Sequence, residues 1–178
     1  AVSLSLRAFF CMENENLFMA PLRRISASRY VTPLREGGSL PAVVEADDGE
    51  LYVMKFSGAG QGPKALIAEI IGGGIAELLD LPLPELVLID MDRDLGRSEP
   101  DPEIQDLLQA SIGLNLGMRF LQSALAYNPL LKPPLEADLA SDIVWFDSYI
   151  TNVDRTARNA NMLLWQDDLW LIDHGASL

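Results

Sequence analysis

Thr151-Asn-Val-Asp-Arg-Thr-Ala-Arg-Asn-Ala-Asn-Met-Leu163, followed by Leu171-Ile-Asp-His-Gly175, is the stretch on which the fold turns. Asp154 and Asn159 stand five apart in a polar run with no hydrophobic period, so they are expected on a loop. Met162-Leu-Leu-Trp165 and Leu169-Trp-Leu-Ile-Asp173 then read as strands around the turn Gln166-Asp-Asp168, which puts Asp173-His174-Gly175 at the far end of a hairpin. Alone, an Asp and an Asn in a loop are most simply turn formers, because their side chains hydrogen-bond nearby backbone. What these residues mean depends on what precedes them.

Upstream, Glu136 to Tyr149 has Leu139, Ile143, Phe146 and Ile150 on one helical face. Before it, Tyr127-Asn-Pro129 and Lys132-Pro-Pro134 break the pattern, and the boundary between two lobes is placed at residue 123/124. The first lobe, 19–123, opens with β-rich runs at Arg29–Thr32, Ala42–Ala46 and Leu51–Phe56. The turn Asp47-Asp-Gly49 makes the last two a hairpin and the whole an antiparallel sheet. A helix is expected from Lys64 to Asp80, interrupted by Gly72-Gly-Gly74, whose cost of about 1 kcal/mol each in an exposed helix implies close packing on a neighbour. Pro82 and Pro84 end it, Glu85–Asp90 is a strand, an acidic loop leads into a short helix, and Leu114–Leu121 supplies a fifth strand.

In that frame the polar residues acquire an order: Lys55 at a strand end, Glu69 on the next helix, then Asp154, Asn159 and Asp173. Phosphoryl transfer needs a carboxylate to take the proton of an attacking hydroxyl, hard oxygen ligands to hold Mg²⁺ on the phosphates, and a cation to steer the nucleotide. Asp154 fits the base, Asn159 and Asp173 the metal ligands, and Lys55 paired with Glu69 the phosphate anchor. Glu36-Gly37-Gly38-Ser39 lies where a phosphate-covering loop belongs. Taken singly, Lys55 is an edge-strand charge, Glu69 a solvated helix position, His174 a structural residue and the tryptophans core or cleft walls; the joint order carries the inference. Arg155 and Arg158 flank this loop, fit either to steady a phosphate or to pair with the acidic surface.

Two other motifs fail on inspection. Gly58-Ala-Gly-Gln-Gly-Pro-Lys64 is not a Walker loop, because Pro63 separates Gly62 from Lys64 and Ala65 follows the lysine; as a glycine turn before a helix N-terminus it is a second place for a phosphate. A calcium loop counted from Asp90 has Leu95 where glycine belongs and Asp101 in place of the final glutamate.

A net charge of −13 argues against nucleic acid or an anionic membrane as direct partner, since both repel an acidic surface. One cysteine, Cys11, excludes an internal disulfide, and one histidine excludes a Cys/His zinc cage. No apolar run is long enough to cross a bilayer, and a cytoplasmic location is expected. Residues 1–18 show little period and are set apart as an extension of uncertain origin; the chain stops soon after Gly175 with no polar tail, so 124–178 is expected to be a partial second lobe, truncated at its C-terminus.

Arg29-Tyr-Val-Thr-Pro-Leu-Arg-Glu-Gly-Gly-Ser-Leu-Pro41, Gly58–Lys64, Trp145-Phe-Asp-Ser-Tyr-Ile-Thr-Asn-Val-Asp-Arg155 and Leu169–Gly175 together resemble the HipA-like kinases, relatives of the HipA toxin kinase and more distantly of the phosphatidylinositol 3/4-kinases. The resemblance implies an α+β, protein-kinase-like bilobal fold, with an antiparallel upper lobe and a mainly helical lower one. It implies ATP and Mg²⁺ as cofactors, Asp154 as the catalytic aspartate, and Asn159 and Asp173 as metal ligands. It also implies transfer to a protein Ser/Thr, with a small-molecule acceptor or an inactive nucleotide-binding regulatory module as the alternatives, and an antitoxin-like partner if the protein is a toxin. Thr156 stands where the toxin pattern has histidine, and Asp-His-Gly replaces Asp-Phe-Gly, but neither change removes a metal ligand.

Overall fold

The computed structural model describes residues 21–34, 40–97, 99–128, 130 and 135–178. In chain order they form β1 (Arg23–Pro33), β2 (Ala42–Ala46), β3 (Leu51–Lys55), α1 (Gly62–Leu78), β4 (Leu86–Met91), α2 (Pro102–Ala110), β5 (Gly113–Arg119), β6 (Leu125–Ala126), α3 (Ala137–Tyr149), β7 (Met162–Trp165) and β8 (Asp168–Leu171). The class is α+β, as the sequence predicts.

The first five strands close into a barrel in the order β1-β2-β3-β5-β4, rather than lying as an open antiparallel sheet. The closing seam is parallel, Arg23 to Ser26 of β1 running beside Val87 to Asp90 of β4, while the other four pairings are antiparallel. Length and irregularity make this work. At eleven residues β1 outruns β2, so its second half pairs with β2, and register shifts after Ala27 and Tyr30 turn its first half toward β4. The predicted strand at Arg29–Thr32 is therefore only the end of β1. Its earlier half buries Ile25 alone among Arg23, Arg24 and Ser26, so it has little alternation to read, and it is held laterally by Arg23 Nε to Glu85 at 2.8 Å and by Arg24 on Asp90.

Period-two alternation sends Ala42, Val44, Tyr52, Met54, Val87 and Ile89 into the barrel, and Ile104 and Leu108 of α2 pack against that core. Asp101 caps α2 by accepting from the Glu103 N–H at 3.1 Å, with Pro102 next. A second apolar core gathers Ala76, Leu81, Ile143, Phe146, Ile150, Leu169 and Leu171 from α1, α3 and β8. Among the described residues after 124, where a mainly helical lower region is expected, there is one helix, α3, beside the three-stranded sheet β6-β7-β8. The β7–β8 turn is tight because Gln166 (φ 53) and Asp167 (φ 70) both take left-handed backbone, as two-residue hairpins require.

The helix predicted to reach Asp80 stops at Leu78, and Asp80 itself turns left-handed (φ 55). Asp80 N–H then bonds Glu77 O at 3.1 Å and Leu81 N–H bonds Ala76 O at 2.9 Å, which satisfies the last carbonyls and drops Leu81 into the second core. Among the described residues no helix is long and apolar enough to cross a membrane.

Candidate active site

The alternation that buries Tyr52 and Met54 turns Val53 and Lys55 to the opposite face of β3, where both line a cleft of ≈ 1820 Å³. Lys55 Nζ donates to Glu69 Oε2 at 2.6 Å and to Asp173 Oδ1 at 2.8 Å. Glu69 sits in the first half of α1 at 1 % exposure, a depth at which a lone carboxylate is costly. Its Oε2 also accepts the His174 backbone N–H at 2.9 Å, so one oxygen joins β3 to the segment after β8. Burial disfavours the ammonium of Lys55, but the Glu69 and Asp173 carboxylates outweigh it and hold the group above its ordinary range. Asp173 is left-handed at φ 60, a conformation that Asp tolerates better than most residues.

Across the cleft, α3 ends at Tyr149 and Thr151 turns left-handed at φ 54. Asn152 closes the helix end, its N–H on Asp147 O at 2.8 Å, and its side-chain oxygen accepts Asp154 N–H at 3.1 Å. Asp154 Oδ2 in turn receives Asn159 Nδ2 at 3.0 Å and Asn161 Nδ2 at 3.1 Å. The loop is cross-braced by Thr156 N–H on Asn159 O at 2.8 Å and Asn159 N–H on Thr156 Oγ1 at 3.2 Å. Lys55, Asp154, Asn159, Asn161 and Asp173 all line the one cleft.

The two arginines of the loop separate sharply. Arg155 is buried and fully committed: Nε to both oxygens of Asp147 at 3.0 and 2.9 Å, NH1 to the Ala160 and Asn161 carbonyls, and NH2 to His174 Nδ1 at 3.1 Å. An arginine only donates, so Nδ1 accepts and the ring proton lies on Nε2, which is buried with no partner among the described residues. Burial pushes the imidazole down to about 4; Glu69 pulls the other way, and the Arg155 and Lys55 cations add to the fall. The His174 ring meets Phe146 edge-on at 5.4 Å. His174 is thus a neutral structural residue.

Of the residues picked from the sequence, Lys55, Glu69 and Asp173 meet directly, and Asp154 meets Asn159. Gly37, Gly38 and Ser39 lie outside the described residues. The Gly58–Lys64 turn leads into α1, and Gln61 and Gly62 flank a small pocket of ≈ 20 Å³ beside Lys55. Sequence reasoning missed Asn161 and Asp147. No spacing rule flags an asparagine two places past the expected one, or a helical Asp eight residues before its arginine.

The donor set suits a magnesium ion. Asn159 Oδ1 and Asp173 Oδ2 are hard oxygens with no partner among the described residues. Magnesium takes one or two carboxylates and completes its shell with water and phosphate. Among the described residues no group of three or more His, Cys, Asp or Glu is placed to hold a metal ion.

Residues 28–178 match the family model described as HipA-like kinase. No curated protein and no solved structure matches the chain.

Proposed function

The chain belongs to the HipA-like kinase family, and from that premise we propose that it is an ATP- and Mg²⁺-dependent phosphotransferase acting on a protein Ser/Thr hydroxyl. The observation that carries this is the meeting of Lys55, Asp154, Asn159 and Asp173 on one cleft, with Lys55 held by the buried Glu69.

In this reading Lys55 orients the α- and β-phosphates, and Glu69 keeps the ammonium charged and aimed. Asp154, steadied by two amide donors on one oxygen, presents the other to the acceptor hydroxyl and takes its proton. Asn159 and Asp173 would hold Mg²⁺, which supplies charge neutralisation on the phosphate oxygens when bound. In this reading residues 124–178 contribute the base and the metal ligands, and 19–123 the phosphate anchor. The acceptor is what separates a protein kinase from a small-molecule kinase, and labelled phosphate from ATP recovered on serine or threonine, against a metabolite panel, decides between them.

The site is tested first by thermal unfolding with and without MgATP. At about 100 times Kd the ligand stabilises by about 2.7 kcal/mol, on the order of 5–10 °C for a chain of this size. Wild type is expected to shift and Asp173→Asn and Lys55→Met to lose the shift. A wild-type protein unmoved by MgATP would leave a kinase-family fold serving as a regulatory module.

A further inference from the structure

We infer that Arg158 is the clamp for the terminal phosphate of the nucleotide, the group that is transferred; the inference rests on the kinase reading above. Three cations among the described residues line the cleft: Lys55, Arg119 and Arg158. Lys55 is already bridged to Glu69 and Asp173, and Arg119 NH2 is paired with Glu50 at 3.0 Å. Arg158 alone of the three is exposed with no hydrogen bond or ion pair to any described residue.

Its backbone is nonetheless held. The two hydrogen bonds between Thr156 and Asn159 close the turn that carries Ala157 and Arg158, so the Cα is anchored while the guanidinium stays free. A side chain fixed at its base and uncommitted at its tip is arranged to receive a ligand, whereas Arg155 three residues earlier spends its donors inside the fold.

Charge identifies the ligand. Asp154, Asp173 and Glu99 also line the cleft, and the chain carries a net −13. A polyphosphate approaching such a site needs an unneutralised cation, and the planar fork of arginine binds two phosphate oxygens at once. Arg158 adjoins Asn159 on the loop of Asp154, so the phosphate it reaches is the one nearest the base. During transfer the acceptor oxygen bonds to the terminal phosphorus as the bond to the β–γ bridging oxygen breaks. The hydroxyl proton goes to the Asp154 carboxylate and the bridging electron pair leaves with ADP, while Arg158 donates to the equatorial oxygens.

The test is isothermal titration of the full chain with MgADP and with the magnesium complex of AMP-PNP, for wild type, Arg158→Gln and Arg158→Lys. Arg158→Gln is expected to weaken AMP-PNP about tenfold or more, the loss of a charge-assisted contact, and ADP by no more than about twofold, with Arg158→Lys between. Because the side chain is exposed, both variants should melt like wild type without ligand. A glutamine variant that keeps the wild-type ratio of the two affinities, or weakens both nucleotides equally, overturns the terminal-phosphate assignment and leaves the kinase reading standing. If wild type binds neither nucleotide, both readings fall together.

Discussion

Glu69 Oε2 holds the Lys55 ammonium and the His174 amide at once, and removing water from a carboxylate is tolerable only because both donors arrive. The lysine–glutamate pair was legible from spacing, since Lys55 ends a strand and Glu69 lies on the next helix. The amide was not, because nothing along the chain says which backbone N–H will face a buried oxygen. The same burial makes His174 a pH-sensitive residue. Unfolded, it takes a proton near pH 6.5; folded, between Arg155 and Lys55 and opposite Glu69 and Asp147, it refuses one until about pH 4. The unfolded chain therefore binds more protons in that window, and stability falls as pH drops through it, by about 3 kcal/mol in all. In metal-free buffer, urea unfolding at pH 7 and 4.5 should show wild type losing about 2–3 kcal/mol more than His174→Phe; equal losses would remove the neutral-histidine assignment.

At the scale of elements, α1 is tied to the barrel through Glu69 on Lys55 and contributes Ala76 to the second core. Its glycines at 72–74 are buried, as their cost in an exposed helix led one to expect. A Cβ on Gly72 would lie 2.9 Å from His174 Cβ, an atom fixed close to the backbone, whereas one on Gly73 would meet the movable tip of Leu86 at 2.5 Å. Gly72→Ala should therefore destabilise on the order of 1–3 kcal/mol by overpacking, despite alanine's better helix propensity. Gly73→Ala should cost less, and Gly60→Ala, with no atom within 4 Å, nearly nothing. Urea melts of the three rank them, and a Gly72→Ala protein as stable as wild type would mean that α1 does not press on the Asp173–Gly175 segment.

Over the whole molecule, a net charge of −13 sets self-repulsion against two modest cores. The arginines on the barrel, paired with Glu85, Asp90, Glu45 and Glu50, are half or more exposed, or nearly so, and exposed pairs contribute little. Raising salt from about 0.01 to about 0.15 M shortens the screening length from about 30 to about 8 Å, so the melting temperature should rise with salt; a fall would mean that the surface pairs outweigh the repulsion. Apolar β-rich runs such as Ala42–Ala46 and Leu51–Lys55, and the linear order Lys55, Glu69, Asp154, Asn159, Asp173, are properties of the chain, so strands, helices and most of the candidate site could be assigned before any contact was known. Closure of the barrel through Arg23–Ser26, the seating of Arg155 between Asp147 and His174, and the second carboxylate on Lys55, 118 residues away, could not. Those partnerships are chosen when packing strips water from polar groups and each must find whichever complement the fold has brought within reach; no local pattern encodes that choice.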